Sequence, residues 1–420
     1  MSGPSLPIPR LPVMSWHAFD GNQHASLPCL LDQAGVYITT SGRASILLAM
    51  ELLGLKPGDK VLLPTYHCPT MIAPVVALDA EPIFYPINAQ GGPQLDWLKQ
   101  QPLDGVKIIL AAHYFGLPQP MQALREWCDE VGIALIEDCA HSLFGISGSR
   151  PVGQWGDIAI GSLTKFLPVP EGGCLKRNIA LESIPDLSKP SHKQQFKAAV
   201  DILHVAASFR RLTGLNDLLL GAFSLRDQFK RAISGAAQAQ QLDTEQVESS
   251  PDGFTIDTTL SHRALTWAPT WISRRLPRAR IVERRRRYFS EFAKRLAGFN
   301  GFHPLHTALP DGASPYVFPL WVAEPDPGYA RLRETGIPVS RWDRLWSNLP
   351  QFANDIGTLW SHHVLQLACH QDLTDADIQT IANAIIQLYA TDRPLADPSA
   401  LIEAVLPQSR SRDAAVEYTA

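Results

Sequence analysis

No Cys-x-x-Cys pair occurs in the sequence, although it holds 6 cysteines: Cys29, Cys68, Cys128, Cys139, Cys174 and Cys369. Scattered in this way, they indicate neither a zinc site nor a disulfide framework. The expectation is a cytoplasmic protein with reduced thiols and no metal. Long hydrophobic runs are also missing. Stretches such as Val75 to Leu78 have the length of core elements, far below the roughly 20 residues that span a bilayer. The start has no basic segment followed by an apolar run, so no secretory signal is expected; Pro4 to Pro12 reads as an extended, Pro-rich arm. Nor is there a surplus of positive charge. The 37 Lys and Arg set against 41 Asp and Glu leave −4, which gives no global electrostatic reason to bind nucleic acid or an anionic membrane. No internal repeat is evident.

What is present is the composition of a large globular protein, 45% apolar and 19% charged, in 420 residues. Length alone suggests two or three domains. From residue 36 to about 180, strand-like and helix-like segments alternate. Helical periodicity runs from Ser45 to Leu53 and from Met121 to Val131. Short apolar segments at Lys60 to Leu63, Pro82 to Tyr85, Val106 to Ala112, Ala134 to Ile136 and Ile158 to Ser162 read as strands. Apolar strands separated by helices imply a mostly parallel sheet covered on both faces, with ligands at the carboxyl ends of its strands. Residues 181 to about 260 change character. They read as a helical insertion with a polar stretch from Gln238 to Gly253. Arg280 to Leu296 is a very basic helix, and Arg284 to Arg287 is expected to form a solvated face, with no aromatic platform beside it for nucleic acid. Tyr316 to Val322, a helix ending at Leu332 to Gly336, a strand from Ile337 to Val339 and an amphipathic helix from Asp375 to Tyr389 describe a smaller α+β unit.

Four local features carry chemistry. Thr40-Ser41-Gly42-Arg43 opens a helix, whose unpaired N–H groups suit a phosphate, though Ser is equally an ordinary N-cap. Ile136-Glu137-Asp138-Cys139-Ala140-His141 ends a buried strand in acids. A desolvated carboxylate needs a cationic partner, such as a pyridinium nitrogen, unless it simply caps the next helix. His141 follows by three residues and can share the same side. Ser162-Leu163-Thr164-Lys165 places a lysine directly after a buried strand, where a Schiff base with a carbonyl would be made; a lone lysine would otherwise be a surface residue. Glycines in Pro170-Glu171-Gly172-Gly173 permit close backbone approach and positive φ.

Together these motifs resemble the DegT/DnrJ/StrS family of pyridoxal-phosphate (PLP) sugar aminotransferases. The likeness covers most of residues 36 to 180 and, more faintly, 280 to 385. Ser41-Gly42-Arg43-Ala44, the run Leu53-Gly54-Leu55-Lys56-Pro57-Gly58-Asp59-Lys60-Val61 ending at Pro64, His113-Tyr114-Phe115-Gly116, Glu137-Asp138-Cys139-Ala140-His141, and Lys165 before Glu171-Gly172-Gly173 are similar to family motifs. So are Tyr316-Val317-Phe318-Pro319, Gly336-Ile337-Pro338-Val339 and Leu373-Thr374-Asp375.

The resemblance implies the α/β fold type I of PLP-dependent transferases. It implies an arm (1–30), a large cofactor domain (31–265) with a helical insertion, a small C-terminal domain (266–395) and a disordered tail (396–420). The phosphate would rest on Ser41, Gly42, Arg43 and Ser162. Asp138 would pair with the ring nitrogen, His141 would sit near the phenolic oxygen, and Lys165 would carry the cofactor and move the proton. The implied partners are an amino acid donor, glutamate foremost, a keto-sugar nucleotide and a second copy in a homodimer. Departures are visible. The Ser162 to Lys165 segment is two residues shorter than the commoner family form, and Pro170 replaces a glycine. The usual ring-stacking position falls on Cys68, leaving Tyr66 or His67 to stack, or nothing. The Asn-x-Arg element that many members send to a neighbouring subunit has no clear counterpart. A cyclitol or other cyclic ketone as acceptor, and a PLP-binding scaffold without turnover, are alternatives; sugar dehydration is disfavoured because those relatives replace the lysine by histidine.

Overall fold

The computed structural model describes residues 7–180, 186–234 and 253–392. The first residues of the Pro-rich arm, most of the polar stretch from Gln238 and the expected tail lie outside the described residues.

Nine strands precede residue 180: β1 (Val36–Thr39), β2 (Lys60–Pro64), β3 (Glu81–Tyr85), β4 (Val106–Ala112), β5 (Ala134–Asp138), β6 (Ile146–Ser147), β7 (Arg150–Pro151), β8 (Ile158–Ser162) and β9 (Gly173–Arg177). β6 and β7 form a separate hairpin. The others make a 7-stranded sheet in the order β1-β9-β8-β5-β4-β2-β3. From β8 through β5, β4 and β2 to β3 every pairing is parallel; β9 alone runs against its two neighbours. Helices α1 (Gly42–Leu52), α2 (Pro69–Ala77), α3 (Leu95–Leu98) and α4 (Gln122–Val131) connect these strands. The expected strands β4 and β8 are buried almost throughout, as their unbroken apolar runs require of strands covered on both faces. Nothing local in 173–177 announced β9, since its strand character comes from pairing on both sides.

Two glycines fix the junction that matters for function. A Cβ on Gly173 would lie 2.2 Å from the Ser41 carbonyl oxygen, and Gly172 has φ of 140°. The first residue of β9 therefore sits against the residue that opens α1. Thr39 and Ser162 both face Gly173 across the sheet, which places the ends of β1 and β8 at one edge.

The expected helical insertion contains α5 (His192–Ser208), α6 (Asn216–Ser234) and α7 (Thr258–Ser261). Then come α8 (Trp267–Arg275) and α9 (Arg278–Arg295), which leads into a second, antiparallel sheet. Its strands β10 (Phe302–Pro304), β11 (Val317–Val322), β12 (Val339–Ser340) and β13 (Val364–Ala368) lie in the order β10-β11-β13-β12. Helices α10 (Gly328–Glu334), α11 (Gly357–His363) and α12 (Asp375–Tyr389) complete this part. Thr374 caps α12 by accepting the Asp377 N–H at 3.1 Å, in a capping box.

The solvated face expected of Arg284 to Arg287 is not what α9 presents. Successive helical residues turn by about 100°, so four in a row visit every face. Arg285 is fully buried, Arg284 and Arg286 are half-buried, and Arg287 alone is exposed, paired with Asp375 at 2.6 Å. No helix among the described residues is long and apolar enough to cross a membrane.

Candidate active site

The carboxyl ends of β4, β5 and β8 open onto a cavity of about 320 Å³. Ser41, Gly42, Arg43, Asp138, His141, Ser162 and Lys165 all line it. Residues separated by more than a hundred positions thus meet at one sheet edge, as strand direction dictates.

One wall is the start of α1. Ser41 caps this helix by accepting the Ala44 N–H at 3.0 Å. Its cap role and its place on the cavity are compatible, because the Gly42 and Arg43 N–H groups precede the first intrahelical bond and have no acceptor within the helix. The Arg43 side chain donates to the Thr255 carbonyl at 2.7 Å. Ser162, at the end of β8, contacts Thr164 Oγ1 at 3.3 Å and lies under Gly42, where an added Cβ would be 3.4 Å from its own.

Glu137 and Asp138 occupy successive strand positions and so point to opposite faces. Asp138 lines the cavity. It is 3% exposed and its Oδ1 accepts the Ala140 N–H at 2.8 Å. Burial raises its pKa, against the opposing pull of that N–H, Lys165 and His113. Among the described residues no cation forms an ion pair with it. Glu137 faces away from the cavity and is saturated. It accepts from Gly153 N at 2.7 Å, Trp155 N at 2.8 Å, Gly156 N at 3.0 Å and His113 Nε2 at 3.0 Å. Burial works to raise its pKa, but His113 and the backbone N–H groups outweigh burial and hold it below the ordinary value. His113 Nδ1 accepts the Gln119 N–H at 2.9 Å, so its proton is on Nε2. Glu137, His113 and Cys139 lie close enough together to suggest a metal, yet these bonds already engage the imidazole and carboxylate atoms.

His141 accepts the Phe115 N–H on Nδ1 at 3.3 Å, and burial, then Lys165, hold its pKa well below the usual histidine value. It is therefore neutral at ordinary pH, with the proton on Nε2. Its ring lies 4.5 Å from Tyr316 and 4.9 Å from Trp342 between centroids. Lys165 Nζ is 5.3 Å from the Tyr316 ring centroid. No ion pair holds it among the described residues.

The proposed ring-stacking substitutes do not reach the cavity. Tyr66 is fully buried among Tyr114, Phe115, Trp342 and Trp360, and its hydroxyl accepts from Gln366 at 3.2 Å. His67 is engaged at both nitrogens, by Pro64 O at 3.1 Å and Trp346 N at 3.0 Å. Cys68 does line it, with Sγ 2.7 Å from Thr70 Oγ1, and burial pushes its thiol pKa up. The cavity's aromatic side is supplied instead by Tyr114, Tyr316 and Trp342. Tyr316 belonged to a quoted motif but had no assigned role; Trp342 sits in an irregular loop after β12 and carried no sequence signal. Glu171, also on the wall, is held by Arg263 and by Thr266 Oγ1 at 2.5 Å. This tether, with Thr40 Oγ1 donating to Leu260 O at 3.1 Å, brings the α7 region to the cavity rim.

Comparison with known proteins bears on the fold and on the N-terminal part of the chain. Residues 30–181 match the model of the DegT/DnrJ/EryC1/StrS aminotransferase family. The resemblance read from the sequence motifs is borne out over that segment. GDP-perosamine synthase of Vibrio cholerae is 31% identical over 142 residues, 33% of this chain and 39% of that protein. L-glutamine:2-deoxy-scyllo-inosose aminotransferase of Streptomyces kanamyceticus is 32% identical over 139 residues, 32% of each chain. The chain thus spans between about a third and two fifths of the length of these curated relatives. Among solved structures, the aminotransferase TlmJ from Streptoalloteichus hindustanus superposes with a TM-score of 0.56 at 22% identity, covering 84% of both chains. PseC of Helicobacter pylori, an aminotransferase involved in the biosynthesis of pseudoaminic acid, gives 0.56 at 15% identity, over 84% of this chain and 86% of that one. The fold is that of these aminotransferases, as expected for fold type I.

Proposed function

We propose that this protein is a PLP-dependent aminotransferase that moves an amino group from an amino acid, glutamate foremost, to a keto group of a nucleotide-linked sugar. The observation that carries this reading is the meeting of a helix start, a buried carboxylate and a lysine in one cavity. The residues fit the cofactor. Asp138 is a buried acid with a raised pKa and a single direct hydrogen bond among the described residues, and a protonated ring nitrogen is the cation it lacks. Gly42 and Arg43 N–H groups, with the Ser162 hydroxyl, suit a phosphate. Lys165 supplies the amine that holds the aldehyde.

When bound, PLP supplies an electron sink for negative charge at the carbon bearing the transferred nitrogen. The chain's own residues do the rest. Asp138 keeps a proton on the ring nitrogen by charge. Neutral His141 retains a donor at Nε2. Lys165 Nζ, beside the Tyr316 ring, takes up and returns the proton at the reacting carbon. Tyr316 and Trp342 line the aromatic side of the cavity.

The nucleotide-sugar acceptor is supported by relatives named for GDP-, dTDP- and UDP-linked sugars. A cyclitol acceptor is the second reading, since two relatives are 2-deoxy-scyllo-inosose aminotransferases. A homodimer is part of the proposal: Trp16, Trp267 and Trp271 are 55%, 66% and 39% exposed, as a covered interface would leave them in one chain. A donor and acceptor screen read by product mass tests the function. Conversion of a keto-sugar nucleotide to its amine is expected; conversion of 2-deoxy-scyllo-inosose alone selects the second reading. Failure of every amino acid to convert bound PLP to pyridoxamine phosphate refutes both.

A further inference from the structure

The arginine run on α9 has no part in the site as described, yet one of its members reaches it through the backbone. Arg285 is 0% exposed. Its Nη2 donates to the Lys165 carbonyl at 2.7 Å, and its Nη1 to the carbonyls of Pro315 at 2.9 Å and Tyr316 at 3.1 Å. Nε donates to Gln371 Oε1 at 2.9 Å, and Gln371 Nε2 in turn donates to the Phe166 carbonyl at 2.7 Å. The guanidinium carbon stands 4.4 Å from the centre of the Phe166 ring.

Two features separate this from ordinary packing. First, Lys165 lies in a turn after β8, and no backbone N–H among the described residues donates to its carbonyl. The arginine is what anchors it. Second, the acceptors are all uncharged, and among the described residues no carboxylate forms an ion pair with Arg285. Burial pushes the guanidinium down to about 10, so it remains charged at neutral pH. Burying such a cation is unfavourable unless its donors are met, and an apolar residue would serve packing alone at least as well. What the planar fork adds is direction: donors in fixed geometry, spread over acceptors in segments that adjoin two sheets.

We propose that Arg285 is a positioning residue for Lys165, locking its backbone and that of Tyr316 to one guanidinium so that Nζ keeps its place against the Tyr316 ring. The proposal rests on the reading of Lys165 as the cofactor lysine. The same side chain grips both members of the 5.3 Å Lys165–Tyr316 pair. Loosening it moves Nζ without removing any group from the cavity.

The test compares PLP-loaded wild type, Arg285→Lys and Gln371→Met, with Arg287→Ala as a control from the exposed face of the same helix. Readouts are the pH titration of the lysine-bound cofactor's visible absorbance, donor kcat and KM, melting temperature, and borohydride labelling with peptide mapping. Arg285→Lys should shift the absorbance midpoint by about half a pH unit or more. It should lower kcat by about 10- to 100-fold, the loss expected of displacement by a fraction of an ångström to about 1 Å, with donor KM within about threefold. Gln371→Met should move both in the same direction by less, and decides the matter should Arg285→Lys not fold; Arg287→Ala should move neither. A pyridoxyl label on Lys165 together with unchanged midpoint and kcat in the folded variants overturns the proposal alone. A wild-type label on another lysine overturns the reading beneath it as well.

Discussion

Replacing Glu137 by glutamine removes one charge and swaps one oxygen for an NH₂, in a fully buried place. The carboxylate now receives Gly153 N and His113 Nε2 at Oε1, and Trp155 N and Gly156 N at Oε2. An amide keeps one acceptor, so whichever way it turns, two buried donors face an NH₂. Re-tautomerising His113 gives no relief, because its Nδ1 already accepts the Gln119 N–H. Each orphaned buried donor costs about 1–3 kcal/mol, hence about 2–6 kcal/mol in total. At roughly 2 °C per kcal/mol for domains of this size, the melting temperature should fall by about 4–12 °C. The pH dependence has a definite sign. Glu137 titrates below its ordinary value of 4.5 in the folded protein, so its stabilisation is present above that pH and is lost as pH falls through the folded value. The melting difference between Glu137→Gln and wild type should therefore be full at neutral pH and shrink only in the acid range below the ordinary 4.5. A variant that melts within about 1 °C of wild type at pH 7 would refute the reasoning, because the orphaned donors would then have found other partners.

Asp138→Asn, one residue on but facing the cavity, should behave oppositely: melting close to wild type, with transamination reduced by roughly 10²–10⁴-fold; near wild-type turnover removes its assigned role. In the wild type, borohydride reduction and peptide mapping should place the pyridoxyl label on Lys165, and Lys165→Ala should fold yet lose the visible band of bound cofactor. A label on Lys107 or Lys176 would overturn the assignment. Gly173→Ala sets a Cβ 2.2 Å from the Ser41 carbonyl oxygen, so β9 or the start of α1 must move. PLP binding should weaken by about tenfold or more, equivalent to about 1.4 kcal/mol, and unchanged affinity would show that the cradle does not depend on this junction. Sedimentation at working concentration should give a homodimer; a fully active monomer would mean that one chain builds the whole site.

Much of this protein is written locally. β4, β8 and α12 run over the residues that apolar runs and helical periodicity assign them, because a strand buried on both faces or an amphipathic helix declares itself within a few residues. The alternation of strands and helices also announced a ligand edge at the carboxyl ends of the strands, where Asp138 and Ser162 end β5 and β8, since parallel strands deliver their carboxyl ends together. Other features are decided by contacts between residues far apart in the chain. β9 is a strand because β1 and β8 flank it. Three neighbouring residues, Tyr66, His67 and Cys68, are equally plausible cavity residues by sequence. Only packing turns the first two into the core, where Gln366 and Trp346 meet their polar atoms, and leaves the thiol on the wall. Trp342 reaches His141 across some 200 positions of chain, a meeting no local pattern records. Arg285 is the sharpest case. Four consecutive arginines look alike in sequence, but helical rotation points each to a different environment. The one turned inward finds carbonyls supplied by the lysine turn and by segments 315–316 and 369–371, and their convergence exists only once both sheets have folded and docked.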